Sequence, residues 1–186
     1  MGATALLLMD LQQGILDRVE AKPDYLERVN EAHNAARAAG ITVIYVTVSF
    51  RRGHPEIPQH NVSFAKVASF GGFVEGDAAV AVPSSVAPSD GDVVVTKRRV
   101  SAFSGSDLDV VLRGIQAENL VLAGVATSGV VLSTLRQAAD LDYRLTVLRD
   151  LCLDLDPEVH RCLVDKVFAR QAEVLSLDQW VAGLGK

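Results

Sequence analysis

The chain has 186 residues, of which 49% are hydrophobic, and its formal net charge is −5. Its basic clusters, Arg51-Arg52 and Lys97-Arg98-Arg99, are short, which argues against nucleic-acid binding because that binding needs many cations facing phosphates. No apolar run approaches the length of a membrane span, and two cysteines make no disulfide framework. We therefore expect one cytoplasmic domain over residues 1–186, with neither a membrane nor a nucleic-acid partner.

Short apolar runs alternate with segments of helical periodicity along the chain. The first run, in MGATALLLMD, lacks the basic region of a signal peptide and predicts a strand over Ala3–Met9. The remaining predicted elements, in chain order, are a helix Asp24–Ala39, a strand Ile41–Val48, short helices near Phe64–Ser69 and Asp77–Val80, a strand Asp92–Lys97, a helix Ser106–Gln116, a strand Leu120–Val125, a helix from Val130 to about Asp140, a strand Arg144–Arg149, a helix Pro157–Gln171, a strand Val174–Leu177 and a tail helix Asp178–Leu184. Strands joined by helical crossovers form parallel sheets, so the pattern predicts an α/β fold with its sheet between two helical layers.

Asp10 ends the first predicted strand and is the first candidate for chemistry. A carboxylate directly after a buried strand lies at the rim of the sheet, where burial raises its pKa and a nearby cation lowers it. Such a group suits a general acid or base, although an aspartate at this place is also a common helix cap or turn residue.

Lys97 ends the apolar run Val93-Val94-Val95-Thr96 and is the second candidate. A lysine there must either extend its amine to solvent or meet a carboxylate. Because the carboxyl ends of parallel strands share one edge of a sheet, an ion pair between Asp10 and Lys97 is one of these two outcomes.

The third candidate is the turn after strand Leu120–Val125, which passes through Ala126-Thr127-Ser128-Gly129 into a helix. Open α/β sheets bind ligands at such turns. The first N–H groups of a helix have no partner within it, so they can stabilise a developing anion.

These three segments resemble the isochorismatase-like hydrolases, also called the cysteine hydrolase family. The resemblance rests on a strand ending in Asp10-Leu11-Gln12, on Thr96-Lys97 followed by Ser101-Ala102-Phe103, and on the turn Gly124-Val125-Ala126-Thr127, in that order. It implies a Rossmann-like three-layer α/β/α fold with a six-stranded, mainly parallel sheet in the order 3-2-1-4-5-6. It also implies a small-molecule substrate, a homodimer or homotetramer that associates through a helical face, and a cis peptide bond between Val125 and Ala126.

The chain departs from the cysteine members at Val130, where the resemblance places the nucleophilic thiol. In those members the aspartate takes the thiol proton, the thiolate attacks an amide or related carbon, and N–H groups of the turn hold the oxyanion. Three interpretations remain open. As the resemblance implies for isochorismatase proper, an aspartate can protonate a vinyl ether that water then attacks. Alternatively, the protein binds a ligand without converting it, or another side chain is the nucleophile.

Cys152 is the thiol that could replace the missing nucleophile, because it follows the predicted strand Arg144–Arg149 at the same edge of the sheet. A buried cysteine is, however, more often a small apolar packing residue. The hydroxyls of Thr127, Ser128 and Ser133 have no histidine nearby in sequence to activate them, although distant residues could meet them in the fold. His54 and His60 have no zinc-site spacing, so we expect no metal and no cofactor.

Aromatic residues and an arginine follow the predicted strands and are expected near the same edge, either lining a pocket or forming a small satellite core. They are Phe50, Arg51, Phe64, Phe70, Phe73 and Phe103. We expect Gln12, Phe50, Phe103 and the turn residues Ala126, Thr127, Ser128 and Gly129 to contact the substrate.

Two hypotheses follow. The first is a hydrolase in which Asp10 is the general acid or base, Lys97 its electrostatic partner and water the nucleophile, with hydrolysis of a vinyl ether or of a C–N or C–O bond. The second is a catalytically silent ligand-binding or oligomeric scaffold protein.

Overall fold

The computed structural model describes residues 2–184, so that residue 1 and residues 185–186 of the predicted domain lie outside the described part. It contains a six-stranded sheet with the strand order β3-β2-β1-β4-β5-β6, and every pairing in it is parallel. The strands are β1 Ala3–Met9, β2 Thr42–Val48, β3 Val93–Lys97, β4 Ala117–Val125, β5 Arg144–Leu153 and β6 Glu173–Leu175. The predicted fold class and the strand order implied by the resemblance are confirmed.

Strand β1 lies at the centre of the sheet, and its side chains alternate between two apolar clusters. Ala5, Leu7 and Met9 enter the cluster on one face, and Leu6 and Leu8 enter the cluster on the other. All five are 0% exposed. Such a strand reads as a continuous apolar run because both of its faces are buried, which is the pattern that the sequence shows.

Helices cover both faces of the sheet. They are α1 Gln13–Leu16, α2 Tyr25–Ala38, α3 Val62–Ser69, α4 Leu108–Gly114, α5 Leu132–Asp140, α6 Pro157–Cys162 and α7 Leu177–Gly183. Leu108 of α4 and Leu135 of α5 pack on the face of Leu7, whereas Val29 of α2 and Trp180 of α7 pack on the face of Leu6. No helix within residues 2–184 is both long and apolar enough to span a membrane.

Several predicted boundaries differ from the observed ones for local reasons. The predicted helix Pro157–Gln171 is divided into α6, a π-helical turn Leu163–Val167 and a 3₁₀ turn Phe168–Arg170. Strand β5 extends beyond Arg149 because the register with β4 shifts and pairing resumes at Gly124–Cys152. Helix α3 begins before Phe64 because the Asn61 side chain accepts a hydrogen bond from the Phe64 amide at 3.1 Å.

The sheet places its crevice between β1 and β4, where the strand order reverses. Ligands of open α/β sheets bind at this position, outside the carboxyl ends of the strands. Met9 pairs with Gly124 there, and a Cβ atom on Gly124 would lie 2.2 Å from the Met9 carbonyl oxygen. The two backbones therefore approach as closely as they do because residue 124 has no side chain.

Candidate active site

Asp10 and Lys97 form a buried ion pair at the carboxyl edge of the sheet. The Lys97 Nζ atom lies 2.9 Å from Asp10 Oδ2, and the two side chains are 2% and 8% exposed. Lys97 Nζ also donates a hydrogen bond to the Arg99 carbonyl oxygen at 3.0 Å. The structure thus favours the paired outcome for Lys97 over extension into solvent.

The sheet explains how residues distant in sequence meet. Asp10 follows β1, donates its backbone N–H to the Val46 carbonyl of β2 at 2.8 Å, and has a φ of 57°, in the left-handed region that aspartate tolerates better than most residues. Lys97 ends β3 in register with Val48 of β2. Since β2 lies between the two, the side chains of Lys97 and Asp10 together with the 2.9 Å contact between them bridge two strand spacings, about 9.5 Å.

The Asp10 carboxyl group is incompletely satisfied. Oδ2 faces Lys97, while Oδ1 is buried and has no hydrogen-bond partner among the described residues. Burial raises the pKa of Asp10 above its usual 3.8, although the charge and hydrogen bond of Lys97 act to lower it. A buried unpaired acceptor is costly in a folded protein, so Oδ1 is the atom of this site that is available to a ligand, a water molecule or a proton.

A cavity of about 360 Å³ opens beside the pair. Its wall includes Asp10, Lys97 and, from the turn after β4, Val125, Ala126, Gly129 and Val130. Val130 is 2% exposed and belongs to the apolar cluster that contains Met9. The peptide bond between Val125 and Ala126 is cis, as the resemblance implied.

Aromatic side chains form part of the wall of this cavity. Phe50, Phe64 and Phe73 line it, and the rings of Phe50 and Phe64 meet edge to face at a centroid distance of 5.4 Å. Phe70, by contrast, is 62% exposed. Arg51, for which a pocket lining was one of two alternatives, is paired with Glu56 at 2.7 Å and lies outside the cavity wall.

Gln12 is placed behind the cavity rather than in its wall. Its side-chain nitrogen donates to the Val48 and Val80 carbonyls at 2.9 Å each, and its oxygen accepts from the Val48 amide at 2.8 Å. Both N–H groups are therefore committed to the backbone. Gln12 thus connects the chain after Asp10 to β2, and its contact with substrate stays a prediction.

Thr127 and Ser128 also contact protein groups outside the cavity. The Thr127 hydroxyl lies 2.8 Å from His160 Nδ1, and the Ser128 amide donates to Asp154 Oδ2 at 2.7 Å. Of the four turn residues expected to contact substrate, Ala126 and Gly129 line the cavity. Thr127 and Ser128 instead anchor the turn to the segment that precedes and includes α6.

The segment Ser101-Ala102-Phe103 connects the loop after β3 to α5. Ser101 donates its hydroxyl to Gln137 at 2.7 Å, and the Ala102 amide donates to the Thr134 hydroxyl at 2.9 Å. Phe103 packs in the core cluster of Leu108, with its ring 6.2 Å from that of Tyr143. Phe103 is thus a packing residue here, outside the cavity that holds Asp10.

The alternative nucleophile and ligand candidates lie elsewhere. Cys152 is 1% exposed, and burial raises the pKa of its thiol to about 12, which disfavours the reactive thiolate. It borders a separate cavity of about 500 Å³ together with Tyr25 and His160. His54 has its Nε2 atom 2.8 Å from the Gly72 carbonyl oxygen, which it can meet as a donor.

Arg18 lines the cavity and was not singled out from the sequence. It follows α1, a helix of four residues that the pattern did not predict. The available signal was its spacing from Asp10, since a short turn after the first strand returns the chain to the same edge of the sheet.

Comparison with known proteins gives a consistent result. The model of the Isochorismatase domain matches residues 4–179. The chain is 32% identical to ureidoacrylate amidohydrolase RutB of Stutzerimonas stutzeri, over 97% of this chain and 79% of that protein. It is 31% identical to the uncharacterized isochorismatase family protein YecD of Escherichia coli O157:H7, over 95% and 93% of the two chains.

A solved structure shares both fold and sequence with this chain. It is an isochorismatase family protein from Burkholderia thailandensis, which is 28% identical, covers 99% of this chain with 96% of its own, and superposes with a TM-score of 0.87. The match of the family model extends from β1 to α7 and includes the Asp10–Lys97 pair and the turn after β4. The chain therefore belongs to the isochorismatase family of hydrolases.

Proposed function

We propose that the protein hydrolyses a small molecule with Asp10 as general acid and base, Lys97 as its electrostatic partner and water as the nucleophile. The observation that carries this proposal is the state of the Asp10 carboxyl group. One oxygen is held by Lys97 at 2.9 Å, and the other is buried beside a cavity and has no hydrogen-bond partner within residues 2–184. A carboxyl group whose burial raises its pKa takes up a proton more readily than a free one, and it can then give that proton to a substrate.

The chemical step uses one proton and one water molecule. Asp10 gives the proton from Oδ1 to the substrate, at the unsaturated carbon of a vinyl ether or at the leaving group of a C–N or C–O bond. Water adds to the electrophilic carbon and loses a proton, which restores the Asp10 carboxyl group. Between these events Lys97 stabilises the carboxylate, and it does so without moving because it already lies in contact.

Val130 supports water rather than a side chain as the nucleophile. The resemblance places the thiol of the cysteine members at this position, and the isopropyl group there has no lone pair. The name of the RutB relative adds amides to the test panel, because that protein is a ureidoacrylate amidohydrolase. The panel therefore contains ureidoacrylate, isochorismate and a simple carboxylic ester.

The test compares wild type with Asp10→Asn on this panel. Asparagine keeps the size of the side chain but has no carboxyl proton, so we expect turnover to fall by roughly 100-fold or more. Asp17→Asn is the control, because Asp17 is exposed and outside the cavity wall. Turnover of the Asp10→Asn protein at the wild-type rate would show that the proposed chemistry is wrong.

A second candidate function is ligand binding without turnover, and the apolar Val130 side chain is the observation that favours it. This alternative expects ligand-dependent thermal shifts together with no product from any member of the panel. Val130→Cys, made in a Cys162→Ser background to remove the exposed thiol, tests the site itself. Covalent labelling by iodoacetamide that Asp10→Asn abolishes would show an intact acid–base site.

The family resemblance also supports a homodimer or homotetramer joined through a helical face. Light scattering on the purified protein measures the molar mass directly. A mass of 19.9 kDa, that of one chain, would contradict this part of the proposal.

A further inference from the structure

The wall of the Asp10 cavity carries one more positive charge than negative charge. Its ionisable side chains are Asp10, Lys97 and Arg18. Asp10 and Lys97 neutralise each other at 2.9 Å, whereas Arg18 forms no salt bridge with any residue of the described range 2–184. This local excess of one cation is opposite in sign to the net charge of −5 of the whole chain.

Arg18 is held in place while its charge remains accessible. Its guanidinium carbon lies 5.6 Å from the centre of the Phe73 ring, in a cation–π contact. Phe73 is itself 6% exposed and accepts a hydrogen bond from the Phe50 amide through its carbonyl at 2.8 Å. The arginine side chain is exposed, so its N–H groups are free to meet a carboxylate with two parallel hydrogen bonds.

The other cation of the wall is not available in this way. Lys97 Nζ already donates to Asp10 Oδ2 at 2.9 Å and to the Arg99 carbonyl at 3.0 Å. An anion placed beside Lys97 would have to compete with these two contacts. Arg18 is therefore the cation of this wall whose N–H groups can bind an anionic group of a ligand, in the same cavity as Asp10.

The rest of the wall is mainly apolar. Outside the turn after β4 its apolar side chains are Ile15, Val48, Phe50, Phe64, Val67, Phe73 and Val100, and Ser63 adds one hydroxyl group. Such a surface favours a flat, unsaturated body over a polyhydroxylated one, because hydroxyl groups there would lose their hydrogen bonds to water.

We infer that the ligand is a small monocarboxylate with a planar unsaturated or aromatic body, and that Arg18 is the residue that determines this specificity. The orientation of the reactive atom toward Asp10 rests on the proposed function, whereas the recognition of the carboxylate by Arg18 does not. Binding and turnover can therefore be tested separately.

The experiment is calorimetric titration with benzoate and with benzamide, which have the same ring and nearly the same shape but differ in charge. We expect wild type to bind benzoate more tightly than benzamide. Arg18→Gln weakens benzoate roughly tenfold or more, since a hydrogen-bonded charge pair is lost, and leaves benzamide unchanged. Arg18→Lys retains part of the preference because lysine keeps the charge without the bidentate geometry.

The control is Arg113→Gln, which removes another exposed arginine, one that lies outside the cavity wall and should leave both titrations unchanged. Equal affinity of wild type for the two probes, no heat from benzoate, or an unchanged benzoate affinity in Arg18→Gln would each overturn the inference. Asp10→Asn separates the two proposals. Full turnover in that variant refutes the acid–base chemistry, while a benzoate preference that disappears with Arg18 still supports the specificity.

Discussion

The two ends of strand β3 each adjoin a buried aspartate, and these two aspartates are held in opposite ways. Before the strand, Asp92 accepts hydrogen bonds from His33, Arg37 and the Ser89 amide, each at 2.7 Å. At the end of the strand, Lys97 contacts one carboxylate oxygen of Asp10, and the other oxygen of Asp10 has no partner among residues 2–184. The two carboxylates are similarly buried, with 2% and 8% of the side chain exposed.

The difference between them is the number of donors. Burial alone would raise the pKa of Asp92, but hydrogen bonds from His33, the Ser89 amide and Arg37 outweigh it and lower that pKa. At Asp10 burial outweighs Lys97, and the pKa is raised. The Asp92 carboxylate, whose two oxygens both accept hydrogen bonds, connects α2 to β3 and stabilises the fold. The Asp10 carboxylate keeps one oxygen without a donor, and that oxygen is available for chemistry.

The largest expected effect comes from removing the ammonium group of Lys97, which contacts Asp10. Lys97→Met leaves the developing Asp10 carboxylate without a partner, so we expect turnover to fall by roughly 100-fold. The free energy of unfolding should fall by about 3 kcal/mol, since one member of a buried pair is lost. Turnover assays and denaturant titration measure the two effects. Lys166→Met, an exposed substitution, should change neither, and full activity in Lys97→Met would remove the lysine from the proposed mechanism.

A substitution of Asp92, at the start of β3, should affect stability alone. Asp92→Asn keeps the shape but loses the charge that His33 and Arg37 address, and we expect the free energy of unfolding to fall by about 1–3 kcal/mol. Turnover of the folded protein should remain at the wild-type level. A loss of activity without a loss of stability would contradict the division of roles between the two ends of β3.

The smallest effect is a difference in pH dependence, and its sign distinguishes the two ends. The lowered pKa of Asp92 gives stability that is present above the ordinary value of 3.8 and is lost as the pH falls through the folded-state pKa. The raised pKa of Asp10 gives stability that is present below 3.8 and is lost as the pH rises through its folded-state pKa. Unfolding measured against pH for wild type, Asp10→Asn and Asp92→Asn should yield difference curves of opposite slope. Curves of equal slope would show that the two carboxylates are equivalent.

The positions of the main site residues were predictable from sequence because each lies at the end of a strand. Asp10, Lys97 and the turn before Val130 all follow apolar runs, and in a parallel sheet such positions converge on one edge. Their order along the chain also carried the resemblance to the family. The sequence could not show which oxygen of Asp10 would stay unpaired, since that depends on the contacts made by Lys97.

The partners of individual side chains in the loops could not be predicted from sequence. The structure gives Gln12, Thr127 and Ser128 hydrogen-bond partners within the protein, and their contact with substrate stays a prediction. A short polar side chain near a strand end has the same sequence pattern in either role. The two arginines show the same difficulty. Arg51 pairs with Glu56, whereas Arg18 has no acidic partner within residues 2–184, and neither fact can be read from the sequence.

The contact between Gly124 and the Met9 carbonyl sets a rule for redesigning this protein. It fixes the distance between the acid and the turn as a property of the scaffold, independent of which side chains face the cavity. New chemistry can therefore be sought by varying positions 18, 50 and 130 in combination, with the backbone serving as a constant template. Any library that also varies position 124 would alter the template itself, and its members could not be compared on their side chains alone.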